Sequence, residues 1–183
     1  MSLLQTLQGN LAAIRQTTLI EVELGNNPQQ NQGITFGNQN SLLDNAVITS
    51  IECFNSTLLT TAPSGAPVIT AGDIPKLTCT LVDLSAGKNF EFVKDYPLYN
   101  LVTSNNAGIV KEILFRRITL NKCKINIVDT TVTPNTSVVL AFNYWTKAQY
   151  QLFMKQMGSP DILFKKPGLR GSKTAVKKTV KRR

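Results

Sequence analysis

Residues 76–93 read KLTCTLVDLSAGKNFEFV, and this stretch decides the fold class. Apolar and polar residues alternate over residues 76–83, which is the period of a strand with one buried face. Residues 85–87 are Ser-Ala-Gly, a turn signal, and the alternation resumes over residues 88–93. We therefore predict two antiparallel strands joined as a hairpin.

Similar runs, rich in β-branched residues and separated by turn signals, lie on both sides of this hairpin. Residues 95–102 contain Pro97, which predicts an edge strand or an extended connection. The other predicted strands cover residues 17–24, 45–59, 66–71, 109–120, 122–128 and 136–145. About eight short strands with a turn roughly every ten residues predict a mainly β protein, built as an antiparallel sandwich or barrel and not from βαβ units.

Two segments have a helical pattern of apolar residues. Residues 2–15 predict an N-terminal helix, whose apolar side would pack on the body or on a neighbouring subunit. Thr146 and Gln149 have the spacing of a capping box and predict a short helix over residues 147–157. Residues 25–40 are rich in Asn, Gln and Gly and predict a long polar loop or arm.

Charge divides the chain into a nearly neutral body and a basic tail. Residues 1–158 hold eleven Lys and Arg against ten Asp and Glu, a net charge of +1. Residues 159–183 hold nine Lys and Arg against one acid, a net charge of +8. We accordingly divide the chain into an N-terminal helix, strand and polar arm (1–44), a β-sandwich body with a closing helix (45–158) and a basic C-terminal tail (159–183).

The basic tail predicts a contact with a polyanion, and nucleic acid is the favoured partner. Its nine cations are Lys165, Lys166, Arg170, Lys173, Lys177, Lys178, Lys181, Arg182 and Arg183. Aromatic residues end at Phe164, so the tail would neutralise phosphates without stacking on bases or reading sequence. The alternative is a solubilising basic tail with no specific partner.

Four further cations lie in the strand-rich region. These are Arg116, Arg117, Lys122 and Lys124. We predict that they lie on a solvated strand face and pair with acids, although on one shared face they would extend the basic surface.

The chain contains no histidine, which argues against enzymatic function. Histidine is the commonest general acid or base and a frequent metal ligand, so its absence removes serine and cysteine nucleophile triads and most catalytic zinc sites. Cys53, Cys79 and Cys123 are widely spaced and predict buried free thiols. We expect a protein that is not an enzyme, has no cofactor, binds no metal and has no small-molecule substrate.

Three segments within residues 45–145 resemble jelly-roll capsid proteins of tailless icosahedral viruses, particularly bacteriophages. They are KLTCTLVDLSAGKNFEFVKDYPLYNLV (76–102), NNAGIVKEILFRRITLNKCKINIV (105–128) and TSVVLAFNYW (136–145). The resemblance implies a single jelly-roll-like sandwich that forms a shell, terminal arms that hold neighbouring subunits, and a basic arm that touches the packaged genome. Many such proteins carry the basic arm at the N-terminus, whereas here it is C-terminal.

The resemblance implies a capsid or minor virion protein that is made in the host cytoplasm and resides in the virion. Its partners would be itself, other capsid proteins and nucleic acid bound without sequence preference. The main alternative is a cellular nucleic-acid-binding β-barrel with a basic tail. A carbohydrate-binding jelly roll and a membrane contact by the tail are less favoured. The sequence shows no run of 18 apolar residues that would predict a membrane-spanning helix, and no signal peptide.

Overall fold

The computed structural model describes residues 15–37, 41–43, 46–85, 88–102 and 112–158. The predicted N-terminal helix, apart from Arg15, and the whole basic tail lie outside these residues. The described residues form eight strands and one α-helix that follows the last strand. The strands are β1 (Gln16–Glu23), β2 (Gly33–Thr35), β3 (Ala46–Phe54), β4 (Leu77–Ser85), β5 (Lys88–Pro97), β6 (Glu112–Arg116), β7 (Lys124–Ile127) and β8 (Ser137–Thr146), and the helix is α1 (Lys147–Gln156).

The strands form two antiparallel four-stranded sheets. The first sheet has the order β1-β8-β3-β6, and the second has the order β2-β7-β4-β5. The first strand thus pairs with the last, the second with the seventh, the third with the sixth and the fourth with the fifth. The prediction of a mainly β, antiparallel protein with a short helix after the last strand is confirmed.

One apolar core lies between the two sheets. Alternating residues of β8, such as Leu140 and Phe142, share this core with Cys79 of β4 and Ile125 of β7. These four side chains are fully buried. Phe36, which follows β2, meets Phe142 edge to face with ring centroids 6.2 Å apart. Strands that alternate in sequence therefore place one apolar side of each sheet in a shared core.

The predicted hairpin is present. Ser85 opposes Lys88 beside the turn, and after two shifts of register Cys79 opposes Tyr96. Pro97 ends β5, which is an edge strand of the second sheet as its proline requires.

Two strand assignments differ from the sequence prediction. Residues 66–71 do not form a strand; Val68 makes a single bridge to Ser137 at the beginning of β8. The pairing of β3 with β8 ends at Val139, so this segment meets β8 only at Ser137, where two backbone hydrogen bonds hold it and Val68 and Ile69 are buried. Conversely, the polar stretch 25–40 contains β2, which pairs with β7.

Candidate nucleic-acid interface

The nine predicted tail cations lie outside the described residues. The structure does describe the helix that precedes the tail: α1 ends at Gln156, Met157 caps it, and Gly158 follows. Gly158 has φ of 62°, a left-handed conformation that glycine adopts without a steric cost and that commonly ends a helix. The Gly158 N–H donates to the Lys155 carbonyl at 3.2 Å, which closes the last turn.

The beginning of α1 is fixed by the predicted capping box. The Gln149 N–H donates to the Thr146 hydroxyl at 3.3 Å, and the Thr146 N–H donates to the Gln149 side-chain oxygen at 2.8 Å. Two N–H groups at the helix N-terminus are thereby satisfied, which favours helix initiation at this residue. Because Thr146 is also the last residue of β8, the helix starts directly from the sheet.

The helix packs on the outer face of the first sheet. Val47 and Trp145 are register partners on β3 and β8, and together with Tyr150 they form a second buried cluster. Phe153 and Met154 pack against this cluster, with the Phe153 ring 5.0 Å from the Trp145 ring. The residues on either side of this strand pair face the shared core, so α1 covers the opposite side of the sheet. Met157, which caps the end of the helix, is exposed and does not belong to this cluster.

A buried carboxylate joins two loops of the body. Asp73 accepts hydrogen bonds from the Thr70 hydroxyl (2.7 Å), the Thr133 hydroxyl (2.9 Å) and the Lys76 ammonium group (3.1 Å). Lys76 also donates to the Thr131 carbonyl at 2.8 Å. Burial alone would raise the pKa of Asp73, but these hydrogen bonds outweigh it and lower the pKa to about 2.

A second buried carboxylate fastens the 55–69 segment to the outer face of the first sheet. Glu21 on β1 accepts from the Ser64 N–H at 2.9 Å, from the Ser64 hydroxyl at 2.5 Å and from the Ser137 hydroxyl at 2.7 Å. Burial favours a higher pKa for Glu21, yet the hydrogen bonds from Ser64 and Ser137 prevail and lower it. The three hydrogen bonds therefore hold Ser64 and the start of β8 against β1.

Next to this pair lies a polar cleft of about 300 Å³. Its lining residues are Glu23, Gly25, Ser64, Ala66, Asn135, Thr136 and Ser137. The lining is made of hydroxyl, amide and backbone groups around one carboxylate, which can hold water or a small polar group but offers no paired acid and base.

Arg116, one of the four body cations, pairs with an acid as predicted. The Arg116 guanidinium donates to Asp83 at 2.9 Å and lies 5.5 Å from the centroid of the Phe92 ring. Asp83 is buried on β4 and Arg116 is on β6, so the ion pair connects the two sheets. These bonds hold Arg116 against the body.

All three cysteines are buried and free. Burial raises the pKa of each thiol, to about 12 for Cys79 and Cys123. Within the described ranges no group of three or more Cys, Asp or Glu is arranged to hold a metal ion. In the same part of the chain, no helix has the length and apolar character needed to cross a membrane.

Sequence reasoning found the tail and the helix that carries it, but it missed both buried carboxylates. Glu21 binds Ser64 and Ser137, which are more than 40 residues away in sequence. Asp73 binds Thr70 and Lys76 nearby, but its partner Thr133 is 60 residues away. Comparison of the chain with protein-family models, with curated proteins and with solved structures gave no match.

Proposed function

We propose that this chain is a structural capsid or minor virion protein. Its body packs with copies of itself or with other shell proteins, and its basic tail, 159–183, contacts the packaged genome. The protein would be synthesised in the host cytoplasm and reside in the virion. It needs no catalytic group, because its work is packing and the neutralisation of phosphate charge.

The observation that carries the proposal is the nested strand pairing. In a jelly roll, eight strands pair as one long antiparallel hairpin that is wound into two sheets. The first strand then pairs with the eighth, the second with the seventh, the third with the sixth and the fourth with the fifth, as they do here. The two four-stranded sheets observed here have the order that such winding produces. Viral capsid domains are among the main users of that architecture.

The outer surface of the second sheet supports a role in packing. Thr35, Thr78, Thr80 and Asn126 lie on its outward side, and Asn126 donates to Thr80 at 3.1 Å and to Asp95 at 2.8 Å. Because Asn126, Thr80 and Asp95 satisfy one another, this part of the surface can lie against another subunit without a large desolvation cost. The body's net charge of +1 limits charge repulsion between copies.

The tail supports the contact with nucleic acid. It follows a helix that is capped at its beginning and packed through Trp145, Tyr150 and Phe153, so the cations start from a fixed place on the body. Each cation that meets a phosphate releases a counterion, so binding would be strong at low salt and independent of sequence.

The two-sheet architecture counts against the cellular barrel alternative. An OB-type domain is a five-stranded, partly open barrel that stacks bases on exposed aromatic residues. Here Phe36, Phe142 and Trp145 are buried, and they serve the core or the docking of α1.

Size-exclusion chromatography of the full chain, with absorbance read at 260 and 280 nm, tests the proposed function. We expect an oligomer that carries nucleic acid at low salt and loses it at high salt. A monomer free of nucleic acid under both conditions would contradict both halves of the proposal.

A further inference from the structure

Strand β1 leaves one edge of the first sheet open. Among the described strands, β1 pairs with β8 alone and lies at the end of the strand order. The Leu24 N–H donates to the Thr136 carbonyl at 3.0 Å, which adds one hydrogen-bonded pair to the β1–β8 register. Hydrogen-bonded pairs alternate along antiparallel strands, so the even-numbered residues of β1 bond to β8 and the odd-numbered ones direct their N–H and C=O groups to the open edge. The odd-numbered residues are Thr17, Leu19, Glu21 and Glu23.

The open edge of β1 lacks most of the features with which proteins protect sheet edges from pairing. Its eight residues keep one register against β8 throughout and include no proline, glycine, lysine or arginine. The other described edge strands are short or interrupted: β2 has three residues, and β6 has five residues and a register shift against β3. β5 carries Pro97 and the left-handed Asp95, with φ of 46°, and its register shifts twice against β4. Of these edges, β1 is therefore the best suited to accept a further strand.

The side chains along this edge also favour a contact. The odd-numbered side chains of β1 lie on the outer face of the sheet, because the even-numbered ones point towards the core. Leu19, in the middle of the strand, is 40% exposed. The buried carboxylate of Glu21 accepts hydrogen bonds from Ser64 and Ser137, so it is satisfied within its own chain. A strand that covers the middle of β1 would thus bury apolar surface and supply partners for open backbone groups.

A second copy of β1 fits this edge best with a twofold axis at Leu19. The added strand must place odd-numbered residues opposite odd-numbered ones, because these carry the open backbone groups. With the axis at Leu19, the Leu19 side chains of the two copies meet, and Thr17 opposes Glu21 of the second copy. An axis at Glu21 would oppose two carboxylates, an axis at Ile20 would oppose Leu19 to a carboxylate, and an axis at Thr17 would overlap fewer residues. The axis at Leu19 also exchanges about six backbone hydrogen bonds.

We infer that β1 is a self-association edge: two copies of the chain pair β1 with β1 about a twofold axis at Leu19, and their first sheets join into one continuous sheet. The inference rests on the proposed function, because it names a contact through which the body packs with copies of itself. A pair of this kind is closed, so it supplies a dimeric building block and does not extend into a fibre along this edge.

The test uses full-length variants that change the charge at the axis. Leu19→Lys and Leu19→Glu each place two like charges opposite one another in the pair, whereas an equimolar mixture of the two variants places opposite charges there. Leu152→Lys is the matched control, because it makes the same change at an exposed leucine of α1. The protein is freed of nucleic acid at high salt and returned to low salt, and sedimentation equilibrium then measures the dimer dissociation constant. Circular dichroism verifies that each variant is folded.

Each charged variant at Leu19 should raise the dimer dissociation constant at least about tenfold, because like charges directly opposite one another destabilise strand pairing and the leucine contact is lost. The mixture should recover a dimer that contains one copy of each variant, and Leu152→Lys should match the wild type. Leu19→Pro removes an N–H group at the open edge and leaves the bonds to β8 in place, so it should weaken association more than Leu19→Ala.

Unchanged association of both charged variants, or a loss that mixing does not reverse, would overturn the inference. A wild type that stays monomeric but binds nucleic acid would also overturn it, and would leave the tail contact of the proposed function standing. A wild type that neither associates nor binds nucleic acid would contradict the proposed function as well.

Discussion

Replacing Asp73 with asparagine should destabilise the body measurably, because this carboxylate fastens two loops together. The variant keeps the side-chain volume but removes the charge. An asparagine has only one acceptor oxygen, so its amide nitrogen must face the Thr70 or Thr133 hydroxyl or the Lys76 ammonium group. Lys76 keeps its bond to the Thr131 carbonyl but loses its ion pair.

The lowered pKa of Asp73 sets the size of the expected effect. Its pKa in the folded protein is about 2, against its usual value of 3.8. Each pKa unit is worth about 1.4 kcal/mol, so the charged form contributes about 2 kcal/mol at neutral pH. In a chain of this length such a loss lowers the melting temperature by about 4–8 °C.

The pH dependence gives the effect a sign. A depressed folded-state pKa stabilises the protein above the unfolded-state value, so the contribution is complete above about pH 5. It is lost as the pH falls from about 4 towards 2. The free energy of unfolding of the wild type should therefore drop more steeply over this interval than that of Asp73→Asn.

Urea unfolding at a series of pH values, followed by the emission of Trp145, measures this difference. Asp129→Asn is the matched control, because Asp129 is an exposed carboxylate close to the same network and accepts from the Thr131 N–H. We expect the control to stay close to the wild type. An Asp73→Asn protein with unchanged stability at pH 7, or with an unchanged difference from the wild type between pH 5 and pH 2, would refute the reasoning.

Three further predictions concern the tail, the helix and the thiols. Deleting 165–183 should leave the body folded, as judged by circular dichroism, and abolish salt-sensitive binding of nucleic acid. For the full chain, the slope of log K against log salt on duplex DNA should reach roughly −8 if all nine cations meet phosphates. Unchanged retention of the deletion variant on a nucleic-acid column would contradict this. Phe153→Ala should loosen α1, shift the emission of Trp145 to longer wavelength and cost about 1–3 kcal/mol, whereas Leu152→Ala, at a side chain 56% exposed, should do neither. The cysteines should resist a thiol reagent at pH 8, since burial raises their pKa (that of Cys79 to about 12), and should react on unfolding; fast reaction of the native protein would show that they are not buried.

Local patterns predicted the elements whose partners are close in sequence. The β4–β5 hairpin and the start of α1 were recoverable because an alternating run with a turn, and a capping box, are complete within about 20 residues. The inward faces of β4, β7 and β8 followed from the period of two.

Elements that depend on distant partners were not recoverable in the same way. β2 is three residues long and lies in a polar stretch, and only the spacing of Ile34 and Phe36 hinted at it. Residues 66–71 have strand composition, but they reach β8 only at Ser137, because β3 pairs with β8 from Val139 onwards. Both outcomes depend on pairing with strands that are distant in sequence, which a local pattern does not contain.

The candidate interface was predictable in composition but not in placement. The tail cations are visible as a charge imbalance. That α1 packs on the outer face of the first sheet, with Lys147 and Lys155 turned to solvent, depends on Val47, which is about 100 residues earlier in the chain.

Negative-stain electron microscopy of the full chain, mixed with single-stranded nucleic acid at low salt, tests the central claim most directly. We expect rings, capsomers or closed shells, because the nearly neutral two-sheet body should pack with other copies and the basic tail should bind them to the nucleic acid. A field of separate monomers, alone and with nucleic acid, would contradict the account.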